Sequence, residues 1–359
     1  MDKQLFLKLL QRAVQKDASD IHLKTGSCVY FRVDGQILSQ EGEPLLGEDI
    51  DNMLDILMSP EQKDFFMKRG DLDLAFTEKG VGRFRVNIFR QRGSVSLVMR
   101  RIKAKILTID QLNLPLAVNR FATMQRGLVL VTGTTGSGKS TALAAIIDHI
   151  NSNRQCHVVT IEDPIEFVHA DRKAVINQRE ITIDTKDFSS ALKAVMRQDP
   201  DVILVGEMRD LETFQAAISA SETGHLVFST LHTTNVMLTI DRIIDLFPSN
   251  QHDQVRSQLA MNLRAVMCLR LLARADGTGR VPNCEIMFTN PGIRALIKEN
   301  AISNGRESGM QGFNDSLHDL IKKELVTLEV GLEISDNPEE LNMMLQGIRL
   351  STGRGGLLR

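Results

Sequence analysis

The chain has 359 residues, a length that corresponds to two domains at about 150 residues each. Hydrophobic residues make up 42% and charged residues 25% of it, which excludes a disordered or collagen-like chain. With a net charge of −2, no Trp and one Tyr, the composition offers neither the positive charge nor the aromatic surfaces typical of nucleic-acid binding, so no nucleic-acid partner is expected.

The cysteines lie far apart in the sequence, so their spacing predicts neither a zinc site nor a disulfide framework. The first residues lead into an amphipathic segment rather than a signal peptide, and there is no run of about 18 apolar residues that could span a membrane. We therefore expect a cytoplasmic protein. The cysteines are Cys28, Cys156, Cys268 and Cys284.

Residues 1–102 predict a small α+β domain. Apolar pairs four residues apart, starting with Leu5 and Phe6, indicate a first helix. Short extended runs bounded by turn residues follow it. The expected elements after the first helix are strands at 20–23 and 29–33, a helix at about 48–69, and strands at 81–90 and 94–102.

Several arginines lie in the last two of these strands. Alternation of side chains along a strand predicts Arg83 and Arg85 on one face and Arg90 and Arg92 on the other. A solvated charged face is the simplest interpretation of each of them. An arginine that reached the active site of a neighbouring subunit would instead raise the rate of a phosphate-transfer reaction, and the sequence leaves both possibilities open. The same strands also contain Arg100 and Arg101.

Residues 103–120 mix polar and apolar side chains without a clear period and are predicted to form a linker. From 121 to 304 strands and helices alternate, which indicates a parallel sheet covered on both faces. The expected elements are strands at 127–132, 156–161, 201–205 and 225–230 and helices at 139–152, about 187–197 and 210–222. Beyond about residue 250 the pattern predicts mainly helices, with a Gly-rich break, a C-terminal helical region at 305–350 and a flexible tail at 351–359.

The strongest motif is a phosphate-binding loop, which matches GxxxxGK[ST] and lies between a predicted strand and a predicted helix. Backbone N–H groups of such a loop surround phosphate oxygens, and the start of the helix adds its positive dipole end. Lys139 is expected to contact the β- and γ-phosphates and Ser140 to bind Mg²⁺, so ATP with Mg²⁺ is the expected ligand. The loop and the residue after it are Gly133, Thr134, Thr135, Gly136, Ser137, Gly138, Lys139, Ser140 and Thr141.

Acidic residues follow two of the predicted strands. Glu207 comes after the apolar run 201–206, and Glu162, Asp163 and Glu166 follow another strand. The carboxyl ends of strands in open α/β sheets converge on the ligand, which favours positions near the γ-phosphate. One carboxylate would hold Mg²⁺, directly or through water, and the other would orient the attacking water. Solvated loop positions remain an alternative for each of these residues.

His225 and His232 flank the predicted strand at 225–230. A histidine in such a position is often a satisfied core or surface residue, and the sequence leaves that interpretation open. An imidazole beside the γ-phosphate could also respond to hydrolysis. Zinc binding is not expected, because no Cys or third His lies within ligand spacing.

Together these motifs resemble the secretion ATPases and, within them, the PilT/PilU-type type IV pilus retraction ATPases. The similarity covers nearly the whole chain and rests on the phosphate-binding loop and on residues 19–23, 162–166, 206–207 and 222–233. It implies a PAS-like N-terminal domain followed by a RecA-like ATPase core, assembled as a homohexamer. By the same resemblance Glu162 corresponds to the general base, Glu207 to the Walker B glutamate and His225 and His232 to paired histidines, while N-terminal arginines such as Arg85 reach the active site.

The resemblance further implies that ATP hydrolysis powers pilus retraction and twitching motility. The expected location is cytoplasmic, at the inner-membrane pilus base, with an inner-membrane platform protein and a paralogous retraction motor as partners. Residues 292–299 stand where retraction members carry a related motif, and Ile293, Arg294 and Leu296 are among the matches. Packing of a helix against the core would produce the same apolar spacing.

Two alternatives stay open at this point. A type IV pilus assembly or type II secretion ATPase would share the same core, although such members usually carry a tetracysteine zinc motif that this sequence does not contain. An accessory subunit that binds ATP and regulates a partner motor would usually have lost a catalytic residue, whereas Lys139, Glu162 and Glu207 are all present.

Overall fold

The computed structural model describes residues 1–33, 35–102, 106–300 and 310–348. The chain divides into two compact units, Met1–Lys105 with Glu166–Val168 and Ile106–Ile165 with His169–Arg359. Each unit has its own sheet and its own hydrophobic core.

The N-terminal unit combines three helices with an antiparallel sheet around one core. Its elements are α1 (Lys3–Gln15), β1 (Asp20–Lys24), β2 (Tyr30–Val33), β3 (Gln36–Ser39), α2 (Gly47–Leu57), α3 (Pro60–Arg69), β4 (Asp71–Glu78), β5 (Gly82–Gln91) and β6 (Ser94–Ile102). The strand order is β3-β2-β1-β6-β5-β4. The sequence predicted neither β3, whose residues are exposed throughout, nor β4.

The region predicted as one helix over 48–69 forms two helices, α2 and α3. Ser59 Oγ accepts a hydrogen bond from the Gln62 N–H at 3.3 Å, and Gln62 Oε1 accepts one from the Ser59 N–H at 2.9 Å. This reciprocal capping box starts a new helix with Pro60 at its first position, where the absent N–H of proline breaks no helical hydrogen bond. The prediction of a single helix was therefore wrong, because it did not take into account the helix N-cap at Ser59.

The first regular element of the C-terminal unit is a short 3₁₀ turn at Leu116–Val118, and a second 3₁₀ turn lies at Ser249–Gln251. Its strands are β7 (Gly127–Thr132), β8 (His157–Glu162), β9 (Val175–Glu180), β10 (Val202–Val205), β11 (Leu226–Leu231), β12 (Leu263–Ala273), β13 (Arg280–Phe288) and β14 (Met310–Gln311). Its helices are α4 (Asn119–Thr123), α5 (Lys139–Asn153), α6 (Phe188–Val195), α7 (Leu211–Glu222), α8 (Val236–Ile244), α9 (His252–Asn262), α10 (Pro291–Glu299), α11 (Phe313–Lys322), α12 (Leu328–Ile334) and α13 (Pro338–Leu345).

The sheet of this unit has the order β14-β13-β12-β7-β11-β10-β8-β9. Strands β12, β7, β11, β10, β8 and β9 run parallel, and β13 pairs antiparallel with β12. Strand β7 is buried along its whole length, with Leu128 and Leu130 in one core and Val129 and Val131 in the other. The sheet is therefore covered on both faces, as the apolar strands predicted.

The prediction of a mainly helical chain beyond residue 250 is wrong for residues 263–288. Strands β12 and β13 form a long antiparallel hairpin, paired from Ala265 with Phe288 to Ala273 with Arg280. Strand β12 also lies beside β7 and is buried over most of its length. A strand of this kind gives a nearly continuous apolar run, which periodicity alone does not distinguish from a buried helix.

Much of the predicted linker belongs to the C-terminal unit. Ile109, Leu114 and Val118 are buried in the core that lies on one face of β7. The segment that joins the units is therefore shorter than 103–120. The predicted tail at 351–359 lies outside the described residues, as does the start of the Gly-rich break. No helix in the described parts of the chain is long and apolar enough to cross a membrane.

Candidate active site

Four neighbouring parallel strands, in the order β7-β11-β10-β8, end at the same edge of the C-terminal sheet. The phosphate-binding loop follows β7, His232 follows β11, Glu207 follows β10 by two residues, and Glu162 is the last residue of β8. A hydrogen bond links the carboxyl ends of β10 and β8, since the Gly206 N–H donates to the Ile161 carbonyl at 2.8 Å. Four separate sequence motifs therefore meet in one site.

The loop after β7 has the geometry of an anion cradle. Gly133 has a φ of 144°, and a Cβ atom at this position would collide with the Ser137 side chain and the Leu269 carbonyl, so the backbone approach requires glycine. Helix α5 begins at Lys139, and its first-turn N–H groups point back towards the loop. Lys139 is buried, and its Nζ donates to the carbonyl oxygens of Gly133 at 2.8 Å and Thr134 at 3.0 Å.

The other residues of the loop divide by exposure. Thr134, Thr135 and Gly136 are exposed, and Ser140 and Thr141 are half-buried in the first turn of α5. The Ser137 hydroxyl is buried and has no hydrogen-bond partner among the residues that the structure describes. A buried hydroxyl without a partner beside a helix N-terminus fits a loop that receives a phosphate chain.

Glu207 lies between two basic side chains. Its Oε2 is 2.7 Å from Arg209 Nη2, and its Oε1 is 3.3 Å from His232 Nε2. Burial acts to raise the pKa of the Glu207 carboxyl, but the hydrogen bond and charge of Arg209 and the charges of His232 and Lys139 outweigh it, so the pKa lies below its ordinary value. Glu207 is therefore ionised at neutral pH. The sequence analysis did not single out Arg209.

Glu162 is held by two neighbours that the sequence analysis also missed. Its Oε1 accepts hydrogen bonds from Thr160 Oγ1 at 2.6 Å and from Gln178 Nε2 at 3.0 Å. Thr160 precedes Glu162 by two residues on β8, and Gln178 lies on the adjacent strand β9. Alternation along β8 could have indicated Thr160, whereas Gln178 carries no motif and is identified only by strand pairing.

The described residues contain no group of three or more His, Cys, Asp or Glu side chains placed to hold a metal ion. In nucleotide sites Mg²⁺ is usually bound through one or two protein groups together with the phosphates, so such a cage is not required. The Ser140 hydroxyl and the ionised Glu207 carboxylate are oxygen ligands of the type that Mg²⁺ prefers.

His225 lies away from the other predicted site residues. It precedes β11, at the amino end of the strand, whereas His232 follows the carboxyl end, and the six residues of the strand separate them by roughly 20 Å. The His225 ring contacts the Ala220 carbonyl at 3.0 Å and Thr223 Oγ1 at 3.2 Å. The two histidines flank β11 as predicted, and within one chain they lie at opposite edges of the sheet, because a strand places its two ends there. A role for His225 in the nucleotide site stays a prediction.

The N-terminal arginines have different surroundings. Arg83 and Arg85 alternate with the buried Phe84 and Val86, so they share the outer face of β5. Arg83 Nη1 lies 3.4 Å from Thr77 Oγ1, and Arg85 Nε lies 3.7 Å from Asp73 Oδ1.

Arg90 is on the other face, with its guanidinium 5.7 Å from the centre of the Phe66 ring. Arg92 was expected on the same face as Arg90 but lies outside the strand, with a φ of 47°, because the chain turns there. Arg100 Nε donates to the buried carboxylate of Asp20 at 2.8 Å, which gives Arg100 a structural partner within its own unit.

The model of the type II/IV secretion system protein family matches residues 2–336. The chain belongs to this family. It is 44% identical to the type IV pilus retraction ATPase PilT of Pseudomonas aeruginosa, over 92% of this chain and 98% of that protein. It is 36% identical to the type IV pilus ATPase PilU of the same organism, over 95% of this chain and 91% of that protein. A crystal structure of the pilus retraction motor PilT with bound ADP matches with a TM-score of 0.88 and 43% identity, covering 96% of this chain and 100% of that one.

These similarities confirm the resemblance to PilT/PilU-type secretion ATPases and the predicted fold, an N-terminal α+β domain followed by a RecA-like core.

Two further groups of predicted residues in this secretion ATPase lie outside the cluster of Lys139, Glu162, Glu207 and His232. Glu166 is exposed. On α10, Ile293 is buried, Leu296 packs against the same core, and Arg294 is exposed, so core packing accounts for the apolar members of that motif.

Proposed function

We propose that this chain is the ATP-hydrolysing subunit of a motor that powers type IV pilus retraction and twitching motility. The observation that supports it most is the meeting of Lys139, Glu207, Glu162 and His232 at one sheet edge beside a phosphate-binding loop. The similarity to PilT over nearly the whole length of both proteins supports pilus retraction as the process that ATP hydrolysis drives.

Each residue of the site has a distinct role in this proposal. Backbone N–H groups of the loop and of the first turn of α5 bind the phosphates, and the Lys139 ammonium moves from the loop carbonyls to the β- and γ-phosphates. Ser140 and Glu207 would hold Mg²⁺, and the ion would supply charge stabilisation for the departing phosphate. Glu162 accepts a proton from the attacking water as general base. His232, in contact with Glu207, would register the loss of the γ-phosphate.

The proposed assembly is a homohexamer, in which an N-terminal arginine such as Arg85 completes the active site of a neighbouring subunit. The motor would act from the cytoplasm at the inner-membrane pilus base, on a platform protein, and beside a paralogous retraction motor. The similarity to both PilT and PilU, which are separate proteins of one organism, supports the last of these points.

The function is tested by replacing Glu207 with Gln and measuring phosphate release and the binding of a fluorescent ATP analogue. The substitution keeps the shape of the side chain and removes its charge, so we expect analogue binding to persist while turnover falls by about a hundredfold or more. Glu329→Gln is the matched control, because Glu329 is exposed on α12, a helix that packs against α11 and α13. Turnover at the wild-type rate in Glu207→Gln would contradict the catalytic assignment.

A further inference from the structure

One oxygen of Glu162 receives two hydrogen bonds from the sheet. Thr160 Oγ1 donates to Glu162 Oε1 at 2.6 Å, and Gln178 Nε2 donates to the same oxygen at 3.0 Å. Thr160 is fully buried and Gln178 is half-buried, so neither is a freely moving surface side chain. The carboxylate at the end of β8 is thereby held in one direction.

The pairing of β8 with β9 produces this arrangement. The strands are parallel, with Thr160 opposite Gln178 and Glu162 opposite Glu180. Residues two apart on a strand share a face, as do residues directly opposite on paired strands, so Thr160, Glu162 and Gln178 all project to the same side. The contacts follow from the register of the sheet.

The direction of the Gln178 amide is fixed by its second contact. Its Oε1 accepts a hydrogen bond from the His169 backbone N–H at 2.8 Å. A backbone N–H can only donate, so the amide oxygen must face His169 and the NH₂ group must face Glu162. On the same strand, Glu180 Oε2 accepts from the Ile165 N–H at 3.4 Å. Strand β9 therefore holds the chain at Ile165 and at His169. Through Gln178 the same strand also orients the carboxylate of Glu162.

We propose that Gln178, assisted by Thr160, is a positioning residue for ATP hydrolysis, which keeps the Glu162 carboxylate in the orientation needed to take a proton from the attacking water. This inference rests on the role of Glu162 in the proposed function. A general base works only when its oxygen lies within hydrogen-bond reach of the water, and a carboxylate without these two donors rotates away from that geometry. In this role Gln178 acts through the Glu162 carboxylate, which it contacts at 3.0 Å, rather than directly on the nucleotide.

The decisive variant is Gln178→Glu, which has the same shape. Its oxygen still accepts from the His169 N–H, but the group facing Glu162 changes from a donor to a carboxylate that repels it. We expect kcat to fall between about tenfold and a hundredfold, while the dissociation constant for a fluorescent ADP analogue stays within about twofold of wild type. Asn177→Asp is the control, since it makes the same amide-to-carboxylate change one residue away, where the side chain contacts His157 at 3.2 Å.

Thr160 gives an independent test, should the new carboxylate prevent folding. Thr160→Val removes the hydroxyl with little change of shape, and Thr160→Ser keeps it. We expect kcat of the Val variant to fall by about tenfold and kcat of the Ser variant to stay at least fivefold higher than that of Val, with analogue binding alike in both. A purely structural role for Thr160 would give the reverse order, because Ser leaves a methyl-sized gap that Val fills.

Glu162→Gln separates this inference from the function on which it rests. If Glu162→Gln abolishes turnover and Gln178→Glu and Thr160→Val keep wild-type kcat, the positioning role is overturned and the proposed function stands. If Glu162→Gln itself turns over ATP at the wild-type rate, the general-base assignment fails and the positioning role fails with it. A loss of kcat in Asn177→Asp equal to that in Gln178→Glu would also overturn the positioning role, because charge near the sheet edge would then explain the effect.

Discussion

Glu207 shows how the site balances burial against charge. Taking its carboxyl out of water favours the protonated form, yet the adjacent Arg209 and His232 keep it ionised. The Arg209 side chain is 70% exposed, so it can leave the carboxylate without a large desolvation penalty. In the proposed mechanism this arginine would leave the Glu207 carboxylate when Mg²⁺ binds there.

At the residue scale, His169 makes the stability of the protein depend on pH. Burial lowers the pKa of His169 to about 4, opposed by the nearby Asp148 and reinforced by Arg172. Its Nδ1 is buried without a hydrogen-bond partner among the described residues. The folded protein disfavours the protonated His169 ring. The contribution of His169 to the free energy of unfolding is therefore complete above about pH 6.5 and is lost as the pH falls towards about 4.

We expect the free energy of unfolding to fall by up to about 3 kcal/mol over that window through His169 alone. The measurement is urea unfolding at a series of pH values for the wild type and for His169→Leu, which has a similar volume and no titrating group. The Leu variant should show a shallower pH dependence. Identical slopes in the two proteins would contradict the assignment.

At the scale of single elements, β7 is the strand on which the site depends most. It lies between β11 and β12, carries the phosphate-binding loop at its carboxyl end, and is fully buried. Its first residue, Gly127, has a φ of 110°, and a Cβ atom there would lie 2.8 Å from the Asn262 carbonyl oxygen. Backbone from α9 therefore passes too close to the start of β7 for any larger residue.

Gly127→Ala is expected to lower the free energy of unfolding by two additive effects. The unfavourable φ costs about 1–2 kcal/mol, and the collision with backbone adds about 1–3 kcal/mol. Gly224→Ala isolates the first effect, because Gly224 has a φ of 107° and no described atom within 4 Å of the added Cβ. Urea unfolding of both variants gives the difference between their losses of unfolding free energy. Equal losses would show that the approach of the Asn262 carbonyl to Gly127 does not contribute.

At the scale of the whole molecule, one chain contains the phosphate-binding loop and both proposed catalytic carboxylates. The proposed arginine contribution comes from a different unit, where Arg85 has a long contact with Asp73 and is 45% exposed. A ring of identical subunits is the arrangement in which such a side chain could serve the site of a neighbour.

Mixing two inactive variants tests the ring and the arginine together. Lys139→Ala removes the phosphate-binding ammonium and Arg85→Ala removes the arginine, so each variant alone should be inactive. In a random equal mixture, about a quarter of the interfaces pair an intact loop with an intact arginine of the neighbour, so about a quarter of wild-type activity should return. The readout is phosphate release, with the assembly followed by mass measurement in Mg-ATP. A mixture that stays inactive would place the arginine and the loop in the same subunit, whereas wild-type activity of Arg85→Ala on its own would exclude a role for Arg85.

Local features of the sequence determined much of this protein. The phosphate-binding loop, the strands and helices from 127 to 231 other than β9, and Glu207 after an apolar strand were predicted, because each depends on neighbours in sequence. A glycine-rich turn followed by a helix is specified within about ten residues, and a buried parallel strand is a continuous apolar run.

Tertiary structure alone decided which of these pieces meet. The hairpin of β12 and β13 was taken for helices, since a strand buried on both faces lacks a period of two. His225 and His232 looked equivalent in sequence, but the strand between them puts them on opposite edges of the sheet. Gln178 carries no motif, and its contact with Glu162 exists because β9 pairs with β8 in one register. Strand order and register are fixed by packing between distant parts of the chain, so they become visible only in the folded molecule.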